Sequence, residues 1–162
     1  DAQQACQNLG TGWDLCTAAQ WESICLAGYS GSSDTWSFAS SPQTYSGNEN
    51  TCNGNDYDTN CPCDSSCAGG DNDEILDTGS LVNCYADWSS VGIYDMSGNV
   101  KEWTSTFRLS QDSDGDTTAE DYYEIRGGAS NQPAAGITCG FDFTIAADNF
   151  AFFNLGFRCC HP

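Results

Sequence analysis

Helical spacing of apolar residues is confined to the start of the chain. In DAQQACQNL, Ala2, Ala5, Cys6 and Leu9 share a face behind Asp1, a good N-cap, and Gly10 and Gly12 end the run. AAQWESICLAG follows: Thr17 is its N-cap, Gln20 holds the capping-box position, Trp21, Ile24 and Cys25 share a face, and Gly28 is the stop. Core packing is the expected role of Trp21 and Glu22. After a long polar stretch the period shortens. Val91, Ile93 and Tyr94 predict the end of a buried strand, and Asp95, Ser97, Gly98 and Asn99 the turn that closes it. Residues 122–130 (opening YYEIRGG) and 137–145 (ITCGFDFTI) predict two further strands. FAFFNLGFRCC is the strongest apolar run, so Phe150, Phe152, Phe153, Leu155 and Phe157 are expected to dominate the core. Two helices, several short strands and long loops make an α+β fold, and 162 residues suffice for one domain, 1–162, with its own core.

Between residues 29 and 77 Ser, Gly, Asn, Asp and Thr dominate, with Cys52, Cys61, Cys63 and Cys67 and no basic residue. Such a stretch holds too few apolar side chains to offset its ordering entropy, so it is expected to be an acidic, Cys-rich insertion that is functional or clamped. Cysteines are the clamps at hand, eleven in the chain. Zinc ligation by CPCDSSC lacks the paired C-x-x-C spacing, and His161 is the only histidine. Disulfides are the preferred reading and place the chain in an oxidising compartment, extracellular or on the cell surface. Sequence does not fix connectivity. Cys52 with Cys84 would clip the insertion, while Cys16, Cys25, Cys139, Cys159 and Cys160 would tie helix to closing strands. The odd total leaves a thiol or a bond to another chain.

Charge narrows the partners. Four basic against 23 acidic residues give −19, and all four (Lys101, Arg108, Arg126, Arg158) lie after residue 100. Nothing is available to neutralise a phosphate backbone, so nucleic acid is excluded, and an anionic membrane repels the chain. No apolar run approaches a membrane span and no signal peptide is evident, so no membrane insertion is expected; a chain opening at Asp1 without Met reads as processed or as a fragment. Arg158, in so acidic a chain, is expected to be a partly buried partner of a carboxylate.

Hard oxygens converge at 92–103, GIYDMSGNVKEW: a carboxylate at Asp95, carbonyls exposed by a Gly turn, and Glu102. Ca²⁺ is bound by that ligand type, and an ordinary strand–turn corner is the plainer alternative. DSDGD (Asp112, Asp114, Asp116) spaces carboxylates as an EF-hand does, yet Tyr123 stands where the bidentate Glu belongs, so a solvated loop is expected.

Four stretches in order resemble the formylglycine-generating-enzyme (sulfatase-modifying factor) family: DAQQACQNLG with LCTAAQWESIC, GIYDMSGNVKEW, IRGGAS and LGFRCC. The resemblance implies a C-type-lectin-like fold with two helices, short antiparallel strands and disulfide-clamped loops, and family strands upstream of the DAQQAC helix that pair with the closing run. It implies Ca²⁺ held by the Asp95 side chain, the Gly98 and Val100 carbonyls and the Glu102 side chain. A second Ca²⁺ site maps onto Asn53 and Gly54 with Asp71 or Asp73, although the family's aromatic there is missing. Formylglycine formation uses copper and two cysteines after the double glycine; those positions are Gln132 and Ile137 here, with Cys139 nearby. One histidine cannot build the iron site of sulfoxide-synthase relatives or a convincing Ser–His–acid set. The expected function is a secreted, Ca²⁺-stabilised, disulfide-rich, non-catalytic binding or structural module, with self-assembly on the cell surface or into a filament as one form of it. Its expected partners are other copies of itself, a surface protein or a glycan. The alternative is a copper oxidase drawing its thiols from Cys139 with Cys159 or Cys160.

Overall fold

The computed structural model describes residues 1–27, 52–54, 75–82, 84–112, 115–132, 134–142 and 144–162. Both predicted helices are present. In α1 (Ala2–Gln7) the Asp1 carboxylate accepts from the Gln3 and Gln4 backbone N–H groups, which satisfies donors that a helix start otherwise leaves orphaned. In α2 (Ala18–Cys25) Thr17 and Gln20 form the reciprocal capping box. The helix caps at Leu26, and the Gly28 stop lies outside the described residues.

Strand β1 (Asp14–Leu15) separates the helices and pairs antiparallel with the last strand, β8 (Cys159–Cys160). A hairpin, β2 (Tyr85–Trp88) and β3 (Val91–Tyr94), turns through Ser89 and Ser90, both at positive φ (52° and 68°). That is the two-residue turn whose twist suits a hairpin, built without the usual Asn-Gly. Val91, the first residue of β3, is 59% exposed, and Ile93 and Tyr94 are partly buried, so β3 is a half-exposed strand and not the buried one expected. The main sheet has the order β6-β5-β4-β7, with β4 (Lys101–Gln111), β5 (Glu120–Arg126), β6 (Thr144–Ala147) and β7 (Leu155–Phe157). Its pairs are antiparallel except β4 with β7, which is parallel.

Four disulfides fasten these pieces: Cys6–Cys159, Cys16–Cys160, Cys25–Cys139 and Cys52–Cys84. Successive strand residues point to opposite faces, so adjacent Cys159 and Cys160 reach two different partners, one on α1 and one just after β1. The Cys52–Cys84 clip and the tie from helix to chain end are as the sequence suggested; Cys6 is the added partner.

Two expectations fail. The core is built on Trp21, Met96, Ala86 and the half-cystines 16, 25 and 139, with a second cluster of Ile137 on Cys52–Cys84. Phe150, Phe152, Phe153 and Phe157 are instead 48%, 53%, 63% and 44% exposed. The run is broken by turns, Phe150 N–H to the Ala147 carbonyl and Leu155 N–H to the Phe152 carbonyl, so only its last part is strand. Residues 137–145 likewise are not one strand. Ala134–Ile137 is a 3-10 turn, Phe141 N–H closes onto Thr138, and strand begins only at Thr144. Cys139, tied to Cys25, anchors this stretch against α2 in place of a ladder.

A candidate metal-binding corner locked by Arg158

Strand β3 ends at Tyr94, and the chain doubles back through Asp95, Gly98 and Asn99, at φ 57°, 77° and 64°. Gly98 has no room for a side chain: a Cβ there would sit 2.1 Å from the Asn53 carbonyl oxygen. Its N–H donates to the Gly127 carbonyl (2.7 Å), and the Asn99 N–H donates to the Asn53 carbonyl (2.7 Å). Asn99 then joins three segments. Its side chain accepts from Asn53 Nδ2 (3.0 Å) and Leu76 N–H (2.9 Å) and donates to the Leu76 carbonyl (3.0 Å), while its carbonyl accepts from Ser130 N–H (3.0 Å). Sequence reading marked Asn99 only as a turn former; its connecting role depends on segments 23 and 46 residues away.

The carboxylates flank one guanidinium. Arg158, just after β7, donates from Nη2 to Glu102 Oε1 (2.5 Å) and from Nε to Oε2 (2.8 Å), the two-pronged geometry that suits Arg. The same Nη2 reaches the Tyr94 carbonyl at 3.0 Å. Trp21 Nε1 donates to Glu102 Oε2 (2.7 Å), so the buried indole is also a positioning group for the glutamate. The partner expected for Arg158 is therefore Glu102. Asp95, buried on the same corner, accepts the Gly79 N–H at 2.9 Å. Burial pushes its carboxyl above the usual aspartate range; the Gly79 bond and the Arg158 charge pull down, and Glu102 pushes up again. Burial works to lower the Arg158 pKa, and the Glu102 charge and hydrogen bond, with Asp95, more than reverse it. Arg158 stays charged.

Among the described residues no three His, Cys, Asp or Glu side chains come together as a metal-holding group, so any cation here would have two carboxylates, Asp95 and Glu102, and would need carbonyl oxygens as well. An ionised carboxylate offers about four lone-pair sites, and Trp21 and Arg158 occupy three on Glu102, leaving one on Oε1. Glu102 therefore has one lone-pair site left over, and the resemblance is what assigns the Asp95 side chain and the Gly98 and Val100 carbonyls as its fellow ligands. Asn53 and Gly54 of the second candidate set are buried and joined to this corner through Asn99; Asp71 and Asp73 lie outside the described residues. The DSDGD carboxylates turn inward on their own loop, Asp112 accepting from Gly115 and Thr117 N–H and Asp116 from Thr118 N–H; Asp114 is not described.

The double glycine supports the corner from behind. Gly127 and Gly128 have φ 88° and 66°, and a Cβ on Gly128 would lie 2.3 Å from the Gly136 carbonyl. Past it, Gln132 Oε1 accepts the Ala129 N–H (3.1 Å), and Ile137 is 3% exposed in the second core cluster. Cys139, Cys159 and Cys160 are each bonded to a cysteine outside that trio.

A mixed sheet, two capped helices and chain ends stapled beside a glutamate–arginine corner define an α+β fold of C-type-lectin-like type. The family model described as Sulfatase-modifying factor enzyme 1-like domain matches residues 1–161, and the chain belongs to that family. Solved structures agree in fold. PvdO from Pseudomonas aeruginosa superposes with a TM-score of 0.65 at 22% identity over 98% of this chain and 57% of that one. CarF gives 0.62 at 21% over 96% and 50%, and Treponema denticola variable protein 1 gives 0.61 at 21% over 93% and 48%. The chain thus spans about half the length of these structures. No curated protein sequence matches it.

Proposed function

We propose that this chain is a secreted, Ca²⁺-stabilised, disulfide-locked module of the family that binds partners and does not oxidise cysteine. One observation carries the reading: the positions matching the family's catalytic cysteines are an amide that closes a turn (Gln132) and a core side chain (Ile137). Two soft thiolates are the minimum for a linear Cu(I) site, and the nearest candidates, Cys139, Cys159 and Cys160, serve as staples. The staples also support an extracellular or cell-surface setting, since such bonds persist in oxidising compartments. Among the described residues no helix is long and apolar enough to cross a membrane.

In this reading Ca²⁺ is held by the Asp95 and Glu102 side chains and the Gly98 and Val100 carbonyls. Asn53 and Gly54, with Asp71 or Asp73, form the second site. Bound there, the ion supplies positive charge to a corner where two carboxylates face one guanidinium. The partners are other copies of the chain, a surface protein or a glycan. The exposed aromatics around β7, a sheet edge, support that choice.

The test is direct. A sulfatase-type cysteine peptide incubated with the protein, copper and reductant is expected to stay unmodified by mass spectrometry. Conversion of its cysteine to an aldehyde would establish the copper-oxidase alternative.

A further inference from the structure

Three of the chain's four basic residues are paired. Arg108 meets Glu124 and Asp142, Arg126 meets Glu22 and Glu124, and Arg158 meets Glu102. Lys101 is the exception. Among the described residues no carboxylate is in ion-pairing reach of its ammonium, although the chain carries 23 acidic residues. Its backbone is fixed, the N–H donating to the Asn154 carbonyl at 2.9 Å. Lys101 lines a cleft of about 530 Å³ between the main sheet and the turns that precede β7. The rest of the lining is mostly apolar, with Ile125, Ile145, Phe150, Phe152 and Leu155, and Asn149 and Asn154 are among its polar residues. The Phe150 and Phe152 rings lie nearly parallel, 13° apart with centroids at 6.2 Å, and both are about half exposed. These are the aromatics that the sequence placed in the core.

We propose that this cleft binds a small apolar monoanion, an aryl- or alkyl-carboxylate. Its carboxylate would meet the Lys101 ammonium and its apolar body the Phe150, Phe152 and Ile145 side chains. The volume lies within the roughly 300–1,000 Å³ of small-molecule sites, which are mostly apolar with a few placed polar groups. Charge selects the head group. The field of a −19 chain favours cations nearly everywhere, yet Lys101, the one Lys or Arg without an ion pair among the described residues, stands at this cleft. Salt screens the distant carboxylates beyond about 8 Å at physiological ionic strength, so the close Lys101 contact decides for a single negative charge. A multiply charged anion would gain one contact and meet the whole unfavourable field. The proposal rests on the binding-module reading and gives one of its surfaces a ligand class.

The experiment titrates the protein with 3-phenylpropanoate and with its neutral twin, 3-phenylpropanamide, following backbone amide shifts of Lys101, Ile145 and Phe152 by NMR. Saturable binding of the carboxylate is expected, with the amide weaker by about tenfold or more, the scale of one charge-assisted hydrogen bond. Lys101→Met should erase that difference and Lys101→Arg should keep it, both with the wild-type melting temperature. Equal affinity for the two compounds, a preference that survives Lys101→Met, or no saturable shift would overturn the proposal. The peptide-oxidation assay reads a different region, so either reading can fail while the other stands.

Discussion

Asp95 and Arg158 show how much one side chain can decide at this corner. Removing one partner of a buried ion pair leaves the other charge uncompensated, at a cost of about 3–5 kcal/mol. Glu102 is buried and Arg158 is 22% exposed, so Arg158→Ala is expected near the lower end, about 3 kcal/mol, in denaturant unfolding. A loss under about 1 kcal/mol would mean that the pair is screened as a surface pair is. Asp95 works in the opposite sense. Its folded pKa is raised, so the folded state holds its proton longer than the unfolded state does. Stability from this group is therefore present at low pH and lost as pH rises from the ordinary aspartate range through the raised folded value. Without metal, Asp95→Asn is expected to flatten that loss and to hold the melting temperature at neutral pH at or above the wild type's, because an amide oxygen can still accept the Gly79 N–H and does not ionise. Ca²⁺ should raise the melting temperature of the wild type and leave Asp95→Asn much less changed. No response of the wild type to Ca²⁺ or chelator would remove the metal from the corner.

At the scale of elements, the chain is held at crossings where a glycine lets one backbone touch another. The Gly98 turn is the tightest, with φ 77° and an Asn53 oxygen where a Cβ would be. Gly98→Ala must both strain the turn and part the two segments, so a loss well above about 1 kcal/mol is expected in urea unfolding. A near-neutral result would show that residues 52–54 do not dock against the corner. Local signals of this kind were readable in the sequence. The helices announced themselves through Asp1, Thr17 and Gln20, and the corner through Asp95, Gly98 and Asn99, because caps and turns are decided within a few residues. What escaped depends on distant contacts. The Ser89-Ser90 hairpin carries no Asn-Gly signature, and the stretch 137–145 reads as strand until Cys25 takes Cys139. The closing aromatics looked like core because a short apolar run has no periodicity that tells burial from display. Glu102 stood out from the turn's own oxygens and Arg158 as some carboxylate's partner, but that Glu102 meets Arg158 and Trp21, 56 and 81 residues away, required the fold.

For the whole molecule, the open question is what covers the aromatic edge. Among the described residues strand β7 pairs with β4 on one side only, at the margin of the main sheet, and Phe157 and the neighbouring Phe153 stand exposed beside it. Edges of this sort accept a strand from another chain. With only three residues in β7, the rings must contribute more to such a contact than the ladder does. A second copy brings another −19 charge, however, and that repulsion opposes association. The two forces respond oppositely to salt. Screening shortens from about 10 Å at 0.1 M to about 3 Å at 1 M, while apolar burial persists. Self-association by sedimentation velocity is therefore expected to strengthen as salt rises, the reverse of an ion-paired interface, and Phe157→Asp should weaken it. The cysteine count adds a second handle. Eleven cysteines less the eight in the four staples leaves three, Cys61, Cys63 and Cys67, an odd number that cannot all pair among themselves. If one of them links copies, a non-reducing gel should hold a dimer that mild reductant dissolves before the staples melt. A species that stays monomeric at every salt and protein concentration, with one or three free thiols, would leave a surface protein or a glycan as the partner of this edge.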